Sequence, residues 1–161
     1  MSLTIRPATA ADVPLIRSLI QALADFEKLS HEMVATEEGL RKTLFEGRPV
    51  ADVLIAEWEG KGVGFSLFFY SYSTFLAKPG IYLEDLFVIP EYRSKGIGKA
   101  LLQKIAQIAE ERGYGRVEWS CLDWNERALK FYRGLGAEPM SEWTVQRLTE
   151  DKYKRLARGE V

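Results

Sequence analysis

The stretch Ile81-Tyr82-Leu83-Glu84-Asp85-Leu86-Phe87-Val88-Ile89-Pro90-Glu91-Tyr92-Arg93-Ser94-Lys95-Gly96-Ile97-Gly98-Lys99-Ala100 decides the fold. Ile81 to Val88 is apolar except for two acidic residues, which predicts a largely buried strand. From Gly98 the spacing changes: Ala100, Leu101, Leu102, Ile105 and Ile108 form one face of a helix running to Arg112, with Gly113 as its stop. A strand, a turn and a helix start therefore follow one another. The first N–H groups of a helix have no intrahelical partners and carry the positive dipole end, so this turn suits a phosphate anion. Gly96 and Gly98 allow close approach, and Arg93 and Lys95 add positive charge. A purely structural turn would use similar glycines. The spacing is neither that of dinucleotide enzymes nor that of nucleotide triphosphatases.

Upstream, Leu3 to Arg6 reads as a short strand, and Val13, Ile16, Leu19, Ile20 and Leu23 predict an amphipathic helix. Thr36 is a candidate N-cap, followed by Glu37 and Glu38, for a second helix ending near Gly47-Arg48-Pro49. Two apolar segments between Val53 and Tyr72 flank Glu59-Gly60-Lys61-Gly62 and predict an antiparallel pair. Downstream, Val117 to Leu122 is expected as a strand, Asn125 to Leu135 as a helix and Thr144 to Leu148 as a strand before a basic C-terminal helix. The mixed order, without repeats or linkers, predicts a single α/β (α+β) domain over residues 1–161.

Nearly half of the 161 residues are apolar, enough for one substantial core, and the formal charge of −1 comes with no basic stripe. Nucleic acid is not an expected partner. Cys121 is the one cysteine and His31 the one histidine, so neither a disulfide framework nor a zinc site is predicted, and no metal is expected. Phe65 to Tyr72 is too short to span a bilayer, and the first residues contain no long apolar run. A soluble, cytoplasmic protein is the expectation.

The turn resembles the Arg-x-x-Gly-x-Gly signature of the GNAT acetyltransferase superfamily. Further separated stretches resemble its spermidine/spermine (diamine) and thialysine acetyltransferase branch: Ile5-Arg6-Pro7-Ala8-Thr9, Phe26-Glu27-Lys28-Leu29-Ser30, Tyr82-Leu83-Glu84-Asp85, Leu122-Asp123-Trp124-Asn125-Glu126-Arg127-Ala128 and Phe131-Tyr132-Arg133-Gly134-Leu135-Gly136-Ala137. The resemblance implies a mostly antiparallel mixed sheet, splayed between its fourth and fifth strands, with acetyl-CoA in the gap. It also implies homodimers. The sequence departs at Ser94, where close relatives often carry glycine, at Phe26, where some carry tyrosine, and in the short turn at Glu59.

An amine acceptor resembles lysine, whose pKa of about 10.4 leaves little neutral nucleophile at pH 7, so acetylation calls for a carboxylate that attracts the ammonium and accepts its proton. Glu84 and Asp85 are adjacent, and on a regular strand they face opposite sides. The resemblance gives the base role to Glu84, acting through water, and leaves Asp85 as an amine or structural contact. Tyr132 can be a core aromatic or, as the resemblance implies, the acid that protonates the departing thiolate; a phenol near pKa 10 and a thiol near 8.5 lie close enough for that transfer. Asn125 can be a helix cap, a cofactor contact, or both.

The cofactor-binding set implied by the resemblance is Leu86, Phe87, Val88, Arg93, Ser94, Lys95, Gly96, Ile97, Gly98, Lys99, Asn125, Ala128 and Tyr132, with a main-chain N–H near Val88 as the oxyanion donor. The acceptor side comprises Phe26, Glu27, Glu84, Asp85, Glu118, Trp119, Ser120 and Asp123. The expected activity is acetyl transfer from acetyl-CoA to a primary amine of a polyamine, diamine or lysine-like molecule, by direct attack in a ternary complex. A protein lysine or N-terminal acetyltransferase, and an acetyl-CoA-binding sensor, are the alternatives.

Overall fold

The structure, a computed structural model, describes residues 2–161. The chain divides into two compact units, Met1–Ser120 and Cys121–Val161.

In the first unit, five strands lie in sequence order: β1 (Leu3–Pro7), β2 (Asp52–Trp58), β3 (Lys61–Ser73), β4 (Lys78–Val88) and β5 (Val117–Trp119). All neighbours are antiparallel except β4 and β5, which run parallel. The mostly antiparallel mixed sheet that the resemblance implies is therefore observed. Glu59 and Gly60 join β2 to β3 with φ of 51° and 81°. Two consecutive left-handed residues match the twist of a tight hairpin.

Helix α1 (Val13–Phe26) buries Val13, Ile16 and Leu19, and α2 (Glu37–Phe45) buries Leu44. Ile16, Leu19 and Leu44 form one cluster with Val53, Ile55, Phe65 and Phe87 on one face of the sheet. Leu54 and Ala56 are also buried, so β2 is covered on both sides. On the opposite face, the end of α3 (Ile97–Glu111) reaches Tyr70, where Arg112 donates from Nη1 to the phenol oxygen at 2.8 Å.

Two local devices set where the helices begin. Thr36 Oγ1 accepts the Gly39 N–H at 3.0 Å, the cap expected for α2. Before α1, both oxygens of Asp12 accept from Arg6 at 2.8 Å, and Asp12 Oδ2 also accepts the Thr9 N–H. These bonds, the one to Arg6 foremost, hold the Asp12 carboxyl at about 2. They tie the start of α1 to β1 and so fix the line along which α1 delivers Phe26 and Glu27.

Pairing between β4 and β5 covers only Ile81, Tyr82 and Leu83 opposite Val117, Glu118 and Trp119. Strand β4 continues to Val88 beside β3 alone, which produces the expected splay between the fourth and fifth strands. The strand predicted to reach Leu122 stops at Trp119.

The second unit holds α4 (Glu126–Gly134) and α5 (Glu150–Ala157). Asn125 Oδ1 accepts the Ala128 N–H at 3.3 Å, so the capping reading of Asn125 is observed. The strand expected at Thr144 to Leu148 is absent, and those residues have no regular structure. A segment forms a strand only where a ladder partner exists, and no strand is present among the described residues of this unit.

Candidate active site

Glu84 sits at a defect in the sheet. Across β3 and β4, Leu67 pairs with Asp85 and Phe68 pairs with Leu83, so Glu84 is the extra residue of a β-bulge. The bulge has a directional consequence. Leu83 shares a face with its partner Phe68, whereas Asp85 and Phe87 share the face of Leu67 and Phe65, which packs on α1. In an unbroken strand Leu83 and Asp85 would lie on the same side. The inserted residue turns Asp85 towards the end of α1.

That end carries Phe26 as the last helical residue and Glu27 as the cap. The Phe26 and Phe87 rings lie 6.4 Å apart, which puts Phe26 over the same part of β4. Burial, with the negative charges of Glu84 and Glu27 added, raises the Asp85 carboxyl to about 7. Burial also raises Glu27. Glu84 itself is exposed. The first unit thus brings together Phe26, Glu27, Glu84 and Asp85 at the point where β4 leaves β5.

Other acceptor-side candidates are placed differently. Ser120 Oγ lies 2.7 Å from the Tyr82 hydroxyl, and Tyr82 stacks on Phe69 with centroids 5.3 Å apart. Tyr82 and Phe69 share the face of Asp85 and were not singled out from the sequence; the period-two series Phe65, Leu67, Phe69 was the available signal. Glu118 is held in an ion pair with Arg116 at 3.0 Å. Trp119 pairs with Leu83, on the sheet face opposite Asp85.

The turn after β4 begins with a 3₁₀ segment at Pro90–Tyr92. Ser94 then has φ of 65° and Gly96 φ of 79°, both left-handed, and the first bond of α3 runs from the Ala100 N–H to the Gly96 carbonyl. Ile97 buries its side chain, so its backbone alone is available at the helix start. Gly96 is required by the backbone itself. Gly98 is not: its φ is not left-handed, and an added Cβ would meet only Val88 Cγ2 at 3.9 Å, an ordinary contact. The space over Gly98 is open on the protein side, which fits a phosphate group lying against the N–H groups of a 15-residue helix.

Ser94 is the non-glycine departure in this turn, and its left-handed backbone costs a side-chain residue about 1–2 kcal/mol. Ser94→Gly relieves that strain but enlarges the entropy of the unfolded chain. Its expected effect is a stability unchanged or raised by up to about 1 kcal/mol, checked by urea unfolding. A loss above that size would show that the Ser94 side chain holds the turn.

The splayed edge of β4 can be read from one bond. Ile89 N–H donates to Val63 O across to β3 at 2.9 Å. Because backbone groups alternate sides, the N–H and C=O of Val88 point to the edge that β5 has left. Arg93 Nε donates to that Val88 carbonyl at 3.0 Å. The Arg93 guanidinium lies 4.6 Å from the Phe26 centroid and 5.4 Å from that of Phe87, while Lys95 Nζ lies 5.3 Å from the Trp58 ring.

In the second unit, Asn125 begins α4, Ala128 lies in its first turn and Tyr132 lies towards its end, with the Tyr132 ring 5.6 Å from Phe131. Asp123 lies in the turn that precedes α4. Among the described residues no group of histidine, cysteine and carboxylate side chains could hold a metal, and no helix is long and apolar enough to cross a membrane.

The chain is similar to known proteins. The chain is 39% identical to the thialysine N-epsilon-acetyltransferase of Bos taurus, over 95% of this chain and 96% of that protein. It is 38% identical to an L-ornithine N5-acetyltransferase of Arabidopsis thaliana, over 94% of this chain and 86% of that one. Among solved structures, an integron cassette protein from V. cholerae superposes with a TM-score of 0.82 at 25% identity, covering 98% of this chain and 99% of the other. An aminoglycoside acetyltransferase from an uncultured soil metagenomic sample gives a TM-score of 0.72 at 26% identity, covering 91% and 94%. Residues 17–137 match the family described as acetyltransferase (GNAT), and the chain belongs to that family as an N-acetyltransferase.

Proposed function

We propose that the protein transfers an acetyl group from acetyl-CoA to a primary amine of a small, lysine-like molecule, the class that includes thialysine, ornithine and polyamines. The observation that carries this reading is the Asp85 carboxyl, turned by the bulge towards Glu27 and desolvated. A cluster of carboxyl groups in a partly dry site attracts an alkylammonium, and its proton affinity near neutrality suits a group that must then accept a proton. Asp85 receives the amine head, and Glu84, exposed on the bulge, passes the proton to solvent.

The Val88 N–H, directed to the splayed edge, donates to the acetyl oxygen as negative charge develops there. The turn from Arg93 to Gly98 holds the donor by its backbone N–H groups and its open glycine. Tyr132 supplies the proton to the departing thiolate, and Asn125 and Ala128 contribute to binding the donor. Direct transfer within a ternary complex follows, because Cys121 has no histidine beside it in the sequence to activate it as a nucleophile. Homodimerisation belongs to the same reading and rests on the family resemblance; cytoplasmic residence rests on the single cysteine, which fits a reducing compartment.

The test is thiol release from acetyl-CoA with thialysine, ornithine, lysine, spermidine, putrescine and a lysine peptide offered in parallel. Turnover on a small amine is expected. Silence on every amine would leave a binding module, and preference for the peptide would move the substrate class to proteins. In the same assay Tyr132→Phe should lower kcat on the order of 100-fold with acetyl-CoA affinity nearly unchanged. Unchanged turnover would remove Tyr132 as the acid.

A further inference from the structure

The charge of Arg93 invites the view that it grips the donor's phosphates, but its side chain is engaged within the protein. Its Nε is committed to the Val88 carbonyl, and its guanidinium lies against the Phe26 and Phe87 rings. Those partners belong to different parts of the machinery. Val88 lies on the splayed edge with its N–H directed into the gap, Phe87 lies on β4 two residues beyond Asp85, and Phe26 closes α1 beside Glu27.

We propose that Arg93 is a positioning residue that joins the donor side of the site to its acceptor side. Two physical consequences follow from its placement. A carbonyl on a strand edge that has lost its neighbour still needs a donor, and Arg93 supplies it, which holds the Val88 peptide in the orientation that leaves the N–H directed into the gap. The planar guanidinium also packs on Phe26, so the last turn of α1, and Glu27 with it, is held at a fixed distance from Asp85. Phosphate binding is left to the backbone N–H groups of the turn. The inference rests on the acetyltransfer reading given above.

The experiment compares two thioester donors. S-Acetylpantetheine contains the reacting thioester but lacks the diphosphate and nucleotide. In Arg93→Ala, kcat/KM is expected to fall about 10- to 100-fold with acetyl-CoA and by the same factor, within about three-fold, with S-acetylpantetheine. The KM for the amine should rise, and the dissociation constant of CoA should stay within about three-fold of wild type.

A loss confined to acetyl-CoA, accompanied by weaker CoA binding, would make Arg93 a phosphate ligand and overturn the proposal. No loss with either donor would overturn it as well. If Arg93→Ala does not fold, Arg93→Lys serves under the same criteria, because a point charge can replace a phosphate contact but not a planar guanidinium that bonds a carbonyl while lying on a ring. The CoA titration needs no amine, so a failure of this proposal is separable from a wild-type enzyme that acetylates none of the amines offered.

Discussion

Asp85→Asn is expected to lower kcat/KM for a small amine by a factor on the order of 100 to 1,000, with most of the loss appearing as a raised amine KM, and to change the pH profile at the same time. In the wild-type enzyme the carboxyl sits at about 7, because burial disfavours its charged form and the charges of Glu84 and Glu27 add to that. In the proposed mechanism it must be ionised to hold an ammonium or take a proton. Activity is therefore expected to rise as pH increases through 7, and Asp85→Asn should remove that limb. A variant that keeps the limb would place the titrating group elsewhere.

Stability should change in the opposite sense to activity. Between about pH 4 and 7 the unfolded chain has released the Asp85 proton while the folded chain retains it. Folded stability consequently falls as pH rises through that window. Asp85→Asn avoids the loss, and at pH 8 it should be more stable than wild type by on the order of 2–4 kcal/mol, with little difference at pH 4. Urea unfolding at the two pH values measures this. Equal stability differences at both would mean that the carboxyl is not desolvated in the folded protein. A gain in stability joined to a loss of activity is the signature of a residue kept for chemistry.

Gly98→Leu should raise the dissociation constant of acetyl-CoA at least about ten-fold while the melting temperature stays the same or increases. The reason lies in what surrounds Gly98. A side chain there meets only Val88 Cγ2 at 3.9 Å, and leucine is favoured over glycine inside a helix by on the order of 0.5–1 kcal/mol. Nothing in the chain therefore demands glycine, and in the proposed site its absent side chain leaves room for the donor. Gly96 provides the contrast, because its φ of 79° makes Gly96→Ala cost about 1–2 kcal/mol whatever binds. Calorimetric titration with CoA and thermal unfolding separate the two. Unaltered affinity in Gly98→Leu would mean that the turn is structural.

The features legible in the sequence are those set by near neighbours. The Glu59-Gly60 turn, the Thr36 and Asn125 caps, the buried face of α3 and the turn of Arg93 to Gly98 each depend on residues within a few positions, so spacing alone discloses them. The failed expectation of a strand at Thr144 to Leu148 has the complementary cause. A strand requires a ladder partner from outside the segment, and near neighbours do not supply one.

By itself the sequence determined that a strand, a glycine-containing turn and a helix follow one another, and that two acidic residues lie just before the turn. Only the tertiary structure decided what those parts face. Asp85 turns towards Phe26 and Glu27 because Leu67 and Phe68, neighbours on β3, pair with residues two apart on β4 and leave Glu84 over. Arg93 turns back onto Val88 and Phe26 because β5 stops short and α1 ends nearby. Register and helix placement are agreed between segments far apart in the chain, and no local pattern of residues specifies them.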